Sequence, residues 1–158
     1  MKTLLLGLGA NARGDRAVGA LVARRLSARG CPATVRLVGG TDLENDPGWN
    51  GHDRVIVVEG TADGRTPGTI HRAEHHVPEG NESLEPAGSH PAGIEEIIQR
   101  AGHLPAHLEV LSISIPDGED GSVLSHPVAV AADHLVDELS QELTEPLSGR
   151  SRHVVEPS

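Results

Sequence analysis

The sequence contains no phenylalanine and no tyrosine, and only one tryptophan, one methionine and one cysteine. Without aromatic rings the core must be built from Leu, Ile, Val and Ala, and the usual stacking platforms for nucleic-acid bases are missing. Cations are scarce as well: 13 Lys and Arg face 23 Asp and Glu, for a formal net charge of −10. Affinity for nucleic acid comes chiefly from cations that neutralise phosphates, so no nucleic-acid partner is expected. Cys31 is alone and cannot form an internal disulfide. No signature of a reactive thiol surrounds it, and it reads as a small residue in the turn after a helix. No apolar run approaches the ~20 residues that a membrane span needs, so no membrane partner is expected either. The chain opens on Met1-Lys-Thr-Leu-Leu-Leu6, but its apolar run ends at Leu8, with Arg13 and Asp15 close behind, which is too short for a signal core. A cytoplasmic protein is the expectation.

What is present is an alternation of apolar runs and amphipathic stretches. Thr3 to Leu8, ended by glycines, predicts a strand buried on both faces. Val18, Leu21, Val22 and Leu26 recur at helical spacing and predict a helix from about Asp15 to Arg29, closed by Gly30 and Pro32. Ala33 to Val38 predicts a second strand. Val55 to Val58 is four consecutive β-branched residues, which suits the centre of a parallel sheet. Thr69 to His75 is more polar and predicts an edge strand. The segment 77–88, rich in Pro, Gly and Glu, predicts a loop, and Ile94, Ile97, Ile98 and Ala101 predict a further helix. Val110 to Ile115 predicts another strand. A final helix is expected from about His126 to Leu143, with Val130, Leu135, Val136, Leu139 and Leu143 turned inward. The expected fold is a single α/β domain over residues 1–145, a mostly parallel twisted sheet of about five strands with helices on both faces. A disordered tail is expected over 146–158.

Open sheets of this kind bind ligands at the carboxyl ends of their strands. Three regions share that rim: the loop after Leu8, Glu59, and the segment leading to His90. The loop from Gly7 to Gly19 lets the backbone approach an anion near a helix N-terminus. However, the second strand ends Leu37-Val-Gly-Gly40 without the acidic residue of a dinucleotide site, and no Gly-Lys-Ser/Thr follows the loop. No nucleotide is expected, and tight packing is the other use for these glycines. Glu59 ends the most buried strand, where an unpaired carboxylate is costly. It serves a site, swings out to solvent or pairs with an arginine. His90, in Ser89-His-Pro91, is either a site residue or simply the first residue of a capped helix. Ser125-His-Pro127 repeats those three residues, so spacing does not rank His90 above His126. His71, His75 and His76 read as exposed edge residues, because no Cys or Asp completes a ligand set around them. No Gly-x-Ser-x-Gly nucleophile motif occurs.

Several segments recur in a familiar order: Leu4-Leu-Leu-Gly-Leu-Gly9, Gly14-Asp15, Val18-Gly19, Val38-Gly-Gly-Thr41, Asp53 to Glu59, Pro67-Gly-Thr69, Ser89-His90 and Ser125-His-Pro127. Together, over about residues 3–143, they resemble the hydrogenase maturation endopeptidases, which trim the C-terminal extension from the large subunit of nickel-iron hydrogenases. The resemblance implies a five-stranded, mostly parallel sheet with a metal-reading site on its rim. It implies a hydrogenase large-subunit precursor as partner, and nickel carried by that substrate, or another divalent metal weakly held. In the family the metal meets the second acid of a pair in the first loop, an acid ending the central strand, and a His before the next helix. Carried onto this chain, the His is His90, which separates it from His126, and the central acid is Glu59. The first-loop position is Arg16, which is always charged, donates only and cannot bind a cation. In one outcome Asp15 takes over, and Asp15, Glu59 and His90 form the metal-contacting and catalytic set. In the other, Arg16 pairs with Glu59, and the chain is a catalytically impaired homologue that binds a partner without cutting it. The opening segment also resembles that of peptidyl-tRNA hydrolase, but nothing downstream continues that likeness.

Overall fold

Residues 2–39, 49, 51–76, 105–117 and 123–144 are described by the computed structural model. They form strands β1 (Thr3–Leu8), β2 (Thr34–Val38), β3 (Arg54–Thr61), β4 (Ile70–His76) and β5 (His107–Ser114), with helices α1 (Val18–Ala28) and α2 (His126–Thr144). A 3-10 turn, Gly14–Ala17, leads into α1. The strands make one sheet in the order β2-β1-β3-β5-β4. β1 pairs in parallel with β2 and β3, β3 pairs in parallel with β5, and β4 closes the edge antiparallel to β5. Val55 to Val58 lie at the sheet's centre with 0% exposure, as their unbroken β-branched run requires. The polar β4 takes an edge, where one side of the strand meets solvent.

The pleat divides the apolar residues between two faces. Leu5, Ile56, Val58, Leu111 and Ile113 meet Val18, Val22 and Leu26 of α1 and Val128, Leu135, Val136 and Leu139 of α2. Leu4, Leu6, Val55, Val57, Leu108 and Val110 face the other way and pack with Val38 and the single tryptophan, Trp49. Both described helices therefore cover the same face. The helix expected around Ile94 to Ala101, the segment 77–88 and the tail 146–158 lie outside the described residues.

One expectation for α2 is corrected. Val130 is 51% exposed, and the fully inward stripe is Val128, Ala131, Ala132, Leu135, Val136 and Leu139. At ~100° per residue, Val130 points ~200° away from Val128 and so faces solvent. The small Ala131 and Ala132 take the contact instead. Leu143 is half-buried at the end of the helix.

At the amino end of β3, Arg54 joins two elements. Its guanidinium reaches Glu109 of β5 at 2.8 Å and also Glu142 in the last turn of α2. Arg72 of β4 adds a contact to Glu142 at 3.2 Å. α1 and α2 are further linked by exposed pairs, Arg25 with Asp133 and Arg29 with Asp137. No described helix is long and apolar enough to cross a membrane.

Candidate active site at the carboxyl rim

The first loop leaves β1 through Gly9, hydrogen-bonded to the end of β2 by Gly9 N and Ala10 N donating to Val38 O, each at 3.0 Å. Gly9 has φ +92°, and a Cβ there would lie 2.2 Å from the Arg16 carbonyl oxygen. The returning 3-10 turn thus rests directly on it. The same turn presses on the end of β3, because a Cβ at Gly60 would lie 3.0 Å from the Asp15 carbonyl oxygen. Among the described residues, the glycines of this loop serve close packing, the second of the two uses considered for them.

Glu59 sits beside that contact. It is 5% exposed and points to the face opposite α1 and α2. Its register partner on β5 is Ser112, whose hydroxyl donates to Glu59 Oε2 at 3.2 Å. Burial pushes the Glu59 carboxyl up to about 7, against the opposing effect of the Ser112 hydrogen bond. Among the described residues no cation enters this balance. Arg16 is exposed, and the effects that set the Glu59 carboxyl are burial and Ser112, without a contribution from Arg16, which was expected as one outcome to pair with it. Beyond Ser112, its antiparallel partner on β4 is the half-buried His71. Register pairs share a face, so Glu59, Ser112 and His71 form a row across three strands.

Asp15 is held differently. It accepts from Ser125 N at 2.8 Å and from Ser125 Oγ at 2.9 Å, so both carboxylate oxygens are engaged. Ser125 precedes α2 and accepts the helix's Ala129 N–H at 2.9 Å, and a carboxylate is favoured next to a helix N-terminus. Asp63, in the β3–β4 loop, likewise accepts from the Ser114 hydroxyl at 3.2 Å. Each of the three rim acids therefore has its own serine donor.

The backbones of Asp15 and Glu59 meet at the carboxyl end of β3, but the Asp15 carboxylate turns to Ser125 and the Glu59 carboxyl to Ser112, and His90 lies outside the described residues. Among the described residues, no three His, Cys, Asp or Glu side chains gather into a group that could hold a metal ion. Ser112 and Ser125 escaped the sequence reading as functional residues. Ser112 had a signal in the alternation Val110-Leu-Ser-Ile-Ser114, which puts hydroxyls on one face of a strand end. Ser125 had one too, in its position before a helix, but nothing local named Asp15 as its partner.

In sequence comparisons, no family model matches the chain and no curated protein does. Solved structures do match. The NiFe hydrogenase maturation protease HybD from Thermococcus kodakarensis superimposes with a TM-score of 0.64 at 19% identity, covering 90% of this chain and 99% of its own. A hydrogenase 2 maturation peptidase from a Thaumarchaeota archaeon gives 0.64 at 21% identity, covering 90% and 98%. The endopeptidase HycI from Escherichia coli gives 0.67 at 20% identity over 100% of both chains. The chain has the hydrogenase maturation protease fold. Within the maturation protease fold, the rim built here by the first loop, Glu59 and Ser125 is the part with chemistry to offer. A carboxyl that titrates near neutrality can hold or release a proton at working pH, and its charged form can approach a cation.

Proposed function

We propose that the chain is a hydrogenase maturation endopeptidase, which removes the C-terminal extension of a nickel-iron hydrogenase large-subunit precursor after nickel insertion. The observation that carries this reading is Glu59: a buried carboxyl with no cation partner among the described residues, at the end of the central strand, next to the residue on which the first loop rests. Structural likeness to maturation proteases supports it. Nickel enters as part of the substrate. Glu59 and His90 are the residues assigned to meet it, with the Asp15-bearing turn beside them. Glu59 gives up its proton readily near pH 7 and so becomes available to a positive centre without a large penalty. Its Ser112 hydrogen bond engages Oε2 and orients the carboxyl.

A second reading has its own support. Arg16 stands at the first-loop ligand position, and the neighbouring Asp15 carboxylate is engaged with Ser125. Both favour a homologue that binds the precursor without cutting it. One experiment separates the readings: the purified protein is incubated with nickel-loaded precursor, and the precursor mass and its association with the protein are followed together. Loss of the C-terminal peptide in the wild type, abolished in Glu59→Ala and His90→Ala, supports the peptidase. Stable association without mass loss supports the accessory protein, and neither association nor mass loss overturns both.

A further inference from the structure

We infer that Ser125 is a positioning residue for the rim: through Asp15 it holds the Gly14–Ala17 turn down on the strand end that carries Glu59. Only the kinetic part of this inference rests on the peptidase reading. The turn is four residues long, and no side chain caps it at Arg13. Its tether is the Asp15 carboxylate, which takes two hydrogen bonds from one residue 110 positions away. The tether ends on a rigid support. Ser125 opens α2, whose buried stripe packs in the main core and whose last turn is fixed by Arg54 through Glu142.

What the tether controls follows from the close approaches. The Asp15 carbonyl lies against Gly60, the residue after Glu59, and the Arg16 carbonyl lies against Gly9. With Asp15 released, the turn loosens its packing on Gly60, and the strand end that carries Glu59 is held less firmly. In the closed state both Asp15 oxygens point to α2, so Asp15 acts by placing the turn and not by binding a cation.

The test uses the full chain with Ser125→Ala and Ser125→Thr, the latter retaining the hydroxyl. Loss of a hydrogen bond to a carboxylate should speed amide exchange in residues 14–17 by at least about tenfold in Ser125→Ala. Exchange in the middle of α1 and β3 should stay unchanged, and Ser125→Thr should recover most of the protection. Unchanged exchange at 14–17, or acceleration spread evenly over α1, α2 and the sheet, overturns the inference. In the cleavage assay, Ser125→Ala should lower kcat about tenfold or more with KM nearly unchanged, and Ser125→Thr should restore kcat. A purely structural role would instead lower the active fraction and the melting temperature together, leaving kcat per folded molecule intact. If the wild type cuts nothing, the peptidase reading fails, and the exchange measurement still decides the tether.

Discussion

Among the described residues the Glu59 carboxyl has one hydroxyl partner and no cation, and burial fixes the sign of its pH behaviour. Its value in the folded chain, about 7, lies above the ordinary 4.5, so the folded state holds the proton more tightly than the unfolded one. Stability linked to this group is therefore full below pH 4.5 and is lost as pH rises through 7. At ~1.4 kcal/mol per pH unit, the charged form costs the fold on the order of 3 kcal/mol. Glu59→Gln keeps the shape and removes the charge. In urea titrations the variant should match the wild type at pH 4 and exceed it at pH 8 by on the order of 1–3 kcal/mol. Gly19 gives a second residue-scale prediction. In a helix, Gly→Ala usually gains up to about 1 kcal/mol. Here a Cβ would lie 2.2 Å from the Val58 carbonyl oxygen, so the sign reverses. Gly19→Ala should lose more than about 2 kcal/mol in the same titration. Glu59 was legible because an acid directly follows four apolar β-branched residues. The partners of Asp15 and Glu59 were not, since each lies more than fifty residues away and is fixed only by register or packing.

At the scale of elements, the strands were the easiest to read. β1 and the core of β3 are unbroken apolar runs, and β4 betrays its edge position through its charge. α2 was read in part: its length and most of its stripe were visible, but Val130 was assigned inward because hydrophobicity outweighed phase. The small Ala131 and Ala132, which carry little hydrophobic signal, mark the true contact line. The ion cluster at the other end of α2 left no sequence trace, because its members come from β3, β4, β5 and α2. Burial pushes the Glu142 carboxyl up, but Arg72 and Arg54 outweigh it and hold it below its ordinary value. Arg54→Ala removes the cation that bridges Glu109 and Glu142, leaves the more exposed Arg72 beside Glu142, and should cost about 3–5 kcal/mol by chemical denaturation. Arg25→Ala, which breaks an exposed pair with Asp133, should cost no more than about 1 kcal/mol. Equal losses in the two variants would show that the buried cluster carries no special weight.

At the scale of the molecule, the alternation of strands and helices announced a parallel sheet, and the order β2-β1-β3-β5-β4 places its topological centre where the first loop and Glu59 meet. The second face was harder to read. Trp49 covers part of it from a polar stretch, 41–53, that promised little structure. α2 comes after all five described strands in the chain, and it is fastened to Asp15 through Ser125, just before its first turn, and to Arg54 through its last. Its fastening at both ends has a consequence in time. During synthesis, the face formed by Leu5, Ile56, Val58, Leu111 and Ile113 is without this cover until residues 126–144 have left the ribosome. A chain ending at Val123 should therefore bind a hydrophobic dye and self-associate, where the longer chain does neither; a dye-silent monomer would show that α1 alone closes the face. The helix that seals the core last is also the one that tethers the first-loop turn. An unfinished chain thus has no assembled rim, and the site comes into being only as the fold is completed.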